Sequence, residues 1–225
     1  LTLPRSRQTV TPRRFLPAAP KGLPRKSCKN LVSTETVFIK WFALFANSEY
    51  NIIMLKPQDI VILLKLVAKA AANSPWNFAS LAKELCMSSS EVHAGFKRAV
   101  KSQLIHPQTR EPNVNALSEF IIHGLRYVFP AERGEMTRGL PTAHSFGPLK
   151  DVLADNQEIP PVWPYAKGNT WGQSFLPLYE SVPRAAESDQ CLYELLALVD
   201  AVRGGRARER NLAVKELKQR LGVNQ

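Results

Sequence analysis

The stretch from Phe78 to Leu104, FASLAKELCMSSSEVHAGFKRAVKSQL, permits few folds other than two short helices crossing at a sharp turn. Leu81, Ala82 and Leu85 make one apolar face upstream. Val92, Phe96, Ala99, Val100 and Leu104 make another downstream, at helical spacing. Between them, Ser88 and Glu91 form a capping box. The serine hydroxyl and the glutamate carboxylate each satisfy a backbone N–H that the first helical turn leaves without a partner. Ala82 is small where crossing helices must approach closely, and only a few residues remain for the turn. Two helices joined in this way can lay the second in the major groove of DNA. The spacing therefore predicts a helix-turn-helix and DNA binding.

The run LAKELCMSSSEVHAGFKRAVKSQLI resembles the helix-turn-helix of bacterial winged-helix transcriptional regulators of the MarR-like type, over roughly residues 55–106. Cys86 stands where such proteins often carry glycine before the turn. In these regulators the first turns of the second helix face base edges, which implies Ser89, Ser90 and His93 as sequence readers. Hydroxyl and imidazole groups suit that task because they hydrogen-bond base edges. Lys97, Arg98 and Lys101 lie on the same polar side and would meet phosphates, which position a protein without specifying sequence. The same cations also suit a merely solvated helix face. Glu91 is assigned to the cap.

Residues 55–72, LKPQDIVILLKLVAKAAA, predict a supporting helix, with Ile60, Leu63, Leu64, Val67 and Ala71 in one stripe and Pro57 in the first turn. Val61, Ile62 and Leu66 widen the stripe, so a second surface should cover it, either the C-terminal half or a second subunit. Trp76 is expected to plug the core. A winged helix should continue into a β-hairpin, yet His106 to Asn113 is too short for two good strands. The expected wing is vestigial, with Arg110 as a phosphate contact. Asn115 to Phe129 then reads as a helix with Leu117, Phe120, Ile121, Gly124, Leu125 and Val128 on one side, ended by Pro130.

Charge is unevenly placed. The chain has 30 Lys/Arg, 19 Asp/Glu and a formal net charge of +11, but residues 1–53 hold nine of the basic and only two of the acidic residues. The basic balance therefore lends little independent support to DNA binding by the folded part. Residues 1–53 are Pro-rich and weakly periodic, which reads as a basic, disordered or non-native leader, with Met54 as an alternative start. A basic arm tracking phosphates and an organellar transit peptide are rival readings of the same composition. The apolar run from Trp41 to Ala46, with Lys40 before it, is too short to span a bilayer, so no membrane association is expected.

Cys28, Cys86 and Cys191 are isolated from one another and show no metal-ligand spacing, so neither a metal nor another cofactor is expected. Scattered thiols suit a cytoplasmic protein. Cys86 reads as a small residue packing the helix pair, with an oxidant-sensing thiol as the sharper alternative. The Gly/Pro-rich segment Phe129 to Tyr179 predicts a small β-hairpin, Val162–Tyr165 and Thr170–Phe175, around Lys167, Gly168 and Asn169. Trp163 and Trp171 are candidates to line an effector pocket. Glu132, Arg133, Glu135, Arg138 and His144 have enzyme-like polarity, but no nucleophile, phosphate loop or metal spacing accompanies them, so the chain is not expected to be an enzyme. Gln190 to Val202 and Arg206 to Leu221 predict a helical hairpin of the kind that builds dimers, with Arg203, Arg206, Arg208 and Arg210 around its turn.

The expected fold is mainly α, a helix-turn-helix with a reduced wing, a C-terminal helical region and a small β-hairpin. The expected organisation is a leader (1–53), a DNA-binding domain (54–130), and a Gly/Pro segment with a dimerisation or partner-binding region (131–225). The expected function is sequence-specific transcriptional regulation. A homodimer acting as a repressor would bind double-stranded DNA. An antitoxin-like protein that binds a partner and autoregulates its operon is the alternative.

Overall fold

The computed structural model describes residues 54–153 and 159–223; the expectations for residues 1–53 lie outside the described residues. The architecture is mainly helical with one small three-stranded sheet. Three helices open it: α1 (Pro57–Ala71), α2 (Phe78–Leu85) and α3 (Ser89–Lys101). Pro57 sits in the first turn of α1, where a missing N–H is harmless, and Asp59 accepts the Lys56 N–H at 2.8 Å. Asn77 Oδ1 accepts the Ser80 N–H at 2.8 Å to start α2. Ser88 Oγ accepts the Glu91 N–H at 3.2 Å while Glu91 Oε2 accepts the Ser88 N–H at 2.9 Å, the reciprocal cap the sequence predicts. Cys86 ends α2 in the left-handed conformation (φ 54°, ψ 40°). α3 then packs tightly on α1 through Gly95, where a Cβ would lie 2.6 Å from Ile62 Cδ1.

A second helical stretch begins at α4 (Val114–Glu119), passes through a π-helical turn at Phe120–Gly124 and ends as α5 (Leu125–Val128). The wider turn changes the phase of the helix. Leu117, Ile121 and Leu125 are buried, whereas Val128, expected on the same side, is exposed.

The Gly/Pro segment holds a strand that the sequence does not announce, β1 (Arg133–Pro141), followed by a short helix α6 (Pro148–Val152). The two expected strands are present as β2 (Pro161–Pro164) and β3 (Thr170–Phe175), but they do not form a hairpin. Each pairs antiparallel with β1, and they meet each other in parallel at Pro161↔Gln173 and Val162↔Ser174. Gly139 pairs with both Pro164 and Thr170, so β1 crosses from one partner to the other there. Closing so few strands forces backbones into contact. A Cβ at Gly139 would lie 1.9 Å from the Trp163 carbonyl oxygen, and one at Gly168 would lie 2.2 Å from the Gly139 carbonyl.

Three helices complete the fold: α7 (Val182–Ser188), α8 (Gln190–Gly204) and α9 (Ala207–Leu221). The expected helical hairpin forms from α8 and α9. Leu192, Leu195, Leu196, Leu198, Val199 and Val202 of α8 are buried, and Ala213, Leu217 and Leu221 of α9 are buried too. α8 also packs against α1, and Val61, Ile62 and Leu66 are all buried. Of the two expected covers for the α1 surplus, the chain's own C-terminal half is the one present. Lys65 crosses this junction, buried, with Glu84 Oε2 and Asp189 Oδ2 each 2.5 Å from its ammonium. One apolar cluster takes in α1, α4, Trp163, Phe175 and α8, so the expected boundary at 130/131 does not separate two cores.

Beneath the sheet, Asp200 Oδ2 accepts from Trp163 Nε1 at 2.6 Å and from Thr142 Oγ1 at 3.1 Å, while Arg203 Nη1 donates to Oδ1 at 2.6 Å. Burial pushes the Asp200 carboxyl above its ordinary value, against the pull of Arg203 and the two donors. Arg203 also holds the Phe129 and Pro130 carbonyls. A buried ion pair is a poor source of net stability, but removing one partner leaves an uncompensated charge. The network therefore fixes how the end of α5 meets α8.

Candidate nucleic-acid interface

α3 has two chemically distinct sides. Val92, Phe96 and Ala99 are buried against the other helices. Ser89, Ser90, His93, Lys97 and Lys101 are exposed and recur turn by turn on the opposite side. Among the described residues, neither Lys97 nor Lys101 has an ion-pair partner. The imidazole of His93 stands edge-on to the Phe78 ring, 5.0 Å between centroids. Phe78 in turn packs edge-on to Phe96 at 5.4 Å and Trp76 at 5.7 Å. Trp76, expected in the core, is half-buried at the edge of this aromatic cluster. The cluster orients His93 without covering it.

Arg98 corrects the sequence reading. It is only 8% exposed, turned inward to Asp59 of α1, with Nε to Oδ2 at 2.7 Å and Nη2 to Oδ1 at 2.6 Å. This bidentate geometry is the strong form of an arginine–carboxylate pair. The hydrogen bonds that Arg98 donates to Asp59 hold its guanidinium above even its usual value. A residue so engaged is unavailable to phosphate. Arg98 instead ties α3 to the α1 N-terminus, a role that helical spacing hides because positions 97, 98 and 101 all look polar on a wheel.

The start of α3 is held by a residue that sequence reasoning missed. Tyr179 Oη donates to Glu91 Oε1 at 2.7 Å, while the other carboxylate oxygen serves the cap. The Tyr179 bond, then the Ser88 bonds, hold the Glu91 carboxyl below its ordinary value. Tyr179 is correspondingly pushed up to about 12. No local pattern connects residues so far apart in sequence.

The segment expected to form a wing holds one antiparallel bridge, Ile105↔Pro112, closed by His106 N–H to Glu111 carbonyl at 2.9 Å. Arg110 is exposed at its tip, in the left-handed conformation with φ 60°. It borders an open groove of about 650 Å³ that reaches Trp76, Asn77, Phe78 and the end of α1. The groove thus runs from Arg110 toward the aromatic cluster beneath His93.

Other candidates do not assemble. Cys86 is exposed rather than packed between the helices, because the left-handed turn carries its side chain outward. Trp163 is fully buried and Trp171 is 64% exposed, so they do not share a pocket wall. Glu132 and His144 lie beyond opposite ends of β1, and His144 is buried with its Nδ1 3.5 Å from Glu209 Oε2. Extended β1 keeps Glu132 and His144 apart. Among the described residues, no group of His, Cys, Asp and Glu is placed to hold a metal ion, and no helix is long and apolar enough to cross a membrane. Comparison with known protein families, with curated proteins and with solved structures returns no match.

Proposed function

We propose that the chain is a sequence-specific DNA-binding transcriptional regulator, in which α2 and α3 act as a helix-turn-helix and the bridge at Ile105–Pro112 as a minimal wing. The observation that carries this reading is the outer face of α3. Ser89, Ser90, His93, Lys97 and Lys101 are exposed together on a helix whose other face is locked to α1 by Gly95 and Arg98. A rigidly seated helix with hydroxyls and imidazole toward its start and ammonium groups toward its end suits base reading followed by phosphate anchoring. Arg110 extends the phosphate contacts beyond the helix end.

The regulator acts as a homodimer that represses by occupying a two-fold site, with the two recognition helices about 34 Å apart. Most apolar side chains of the α8–α9 hairpin are covered within the chain, with Leu212 and Val214 of α9 half-buried. Tyr127 and Val128 at the end of α5 are exposed apolar side chains that could serve a pairing surface. The same apolar side chains favour a second reading, an antitoxin-like protein that binds a different chain there and autoregulates its operon.

A mobility shift of the full chain on DNA from upstream of its own gene, with excess nonspecific competitor, tests the proposal. A discrete, competitor-resistant complex is expected. Absence of any complex, with a protein partner co-purifying, would replace DNA reading by partner binding.

A further inference from the structure

The β2–β3 loop lies beside the other end of the recognition helix. Tyr165 Oη donates to Glu187 Oε2 of α7 at 2.7 Å, α7 packs on α2, and Tyr179, three residues before α7, donates to Glu91 Oε1 in the first turn of α3 at 2.7 Å. The loop is rigid. Gly168 N–H closes a turn onto the Tyr165 carbonyl at 3.0 Å, Arg138 Nε donates to the Gly168 carbonyl at 2.6 Å, and Gly168 is pressed against Gly139. Lys167 and Asn169 flank that buried glycine and are exposed, as is Arg184 on α7. Lys83 is exposed on the last turn of α2. The nearby acids are Glu187, engaged by Tyr165, Glu91, engaged by Tyr179, and Glu180, which is exposed.

We infer that Lys167, on the rigid β2–β3 loop, and Arg184, on α7, form a second phosphate-contacting edge at the α2–α3 turn, replacing the reach that the reduced wing has lost. This rests on the DNA-binding reading above. The reduced wing follows the C-terminal end of α3 in the chain, whereas the Tyr179–Glu91 bond sets the start of α7 at its N-terminal end, so the two would bracket the helix along its axis. A strand-connecting loop held on three sides keeps a lysine at fixed height, which a flexible loop of the same composition would not. Asn169 can add a neutral hydrogen bond to the same backbone. The edge carries no base-reading geometry, so it raises affinity for all sequences alike.

The test is the salt dependence of binding by the full chain to a mixed-sequence DNA duplex long enough to pass both ends of α3. Each phosphate contact removed lowers the slope of log affinity against log salt by about 0.9. Lys167→Ala with Arg184→Ala should therefore lower it by about two such steps and leave the preferred sequence unchanged. Lys215→Ala, on the exposed side of α9, should leave the slope at the wild-type value. A double variant with the wild-type slope, alongside a lowered slope for Lys97→Ala, would overturn the second edge while leaving α3 as the DNA-binding helix. An equal drop for Lys215→Ala would reduce the effect to net charge and overturn it as well. No binding by the wild-type chain would remove the DNA reading itself.

Discussion

The α1–α3 layer and the three-stranded sheet are held together by opposite means. In the helical layer, side chains at helical spacing meet across faces, and one buried pair, Asp59–Arg98, sets the angle of α3. In the sheet, β1, β2 and β3 close by direct backbone approach at Gly139 and Gly168, with the side chain of Trp163 anchored below by Asp200. The layer is specified by what its residues carry; the sheet is specified at points where its residues carry nothing. The layer should therefore fail when a side chain is removed, and the sheet when one is added.

The largest expected effect tests the first half of that contrast. Arg98→Ala leaves Asp59 buried and unpaired, which costs about 3–5 kcal/mol. Urea unfolding should show this loss, whereas an ordinary surface arginine would leave the midpoint unchanged. Adding a methyl group in the sheet tests the other half. Gly139→Ala forces the Trp163 carbonyl away and should destabilise by about 1–3 kcal/mol, with a matching change in tryptophan fluorescence. Ser88→Ala removes the α3 cap and should cost about 1 kcal/mol, read from thermal unfolding. Cys86→Gly should act in the other direction and stabilise by about 1 kcal/mol, because a left-handed backbone strains any residue with a Cβ.

The smallest effect concerns pH. Glu91 sits below its ordinary value of 4.5 in the folded chain, so its bonds stabilise fully above that value and lose their contribution as pH falls through the folded one. Tyr179→Phe removes the donor that holds it lowest and should narrow this acid-dependent loss. The tyrosine side has the opposite sense: its contribution is complete below pH 10 and is lost as pH rises through about 12. Denaturant midpoints of both proteins across the acidic range decide it, and identical profiles would mean that the Tyr179 bond does not form in solution.

The same contrast explains what could be read in advance. Ile60, Leu63, Leu64 and Val67, the Ser88–Glu91 cap and the apolar face Leu81, Ala82 and Leu85 of α2 are local signals found where the periodicity puts them, although Ala71, at the end of the α1 stripe, is exposed. The α8–α9 hairpin was legible for the same reason. β1 was not, because RGEMTRGLP has no alternation of apolar and polar residues: its first six residues are largely exposed on both faces. The π turn at Phe120–Gly124 left no sequence mark, and Val128, at the end of α5, is exposed. Within the candidate site, the exposed stripe Ser89, Ser90, His93, Lys97 and Lys101 follows from helical geometry alone. Arg98 was misread because its carboxylate partner lies on another helix, and Tyr179 was missed because its acceptor lies across the molecule.

The central claim is that the outer face of α3 reads DNA sequence. Selection from a randomised DNA pool, run in parallel with the wild-type chain and with a Ser90→Ala, His93→Ala double variant, tests it most directly. One enriched site is expected for the wild type, and the same flanks with relaxed preference at the central positions for the variant. Enrichment of an identical site by both proteins, or none by either, would contradict it.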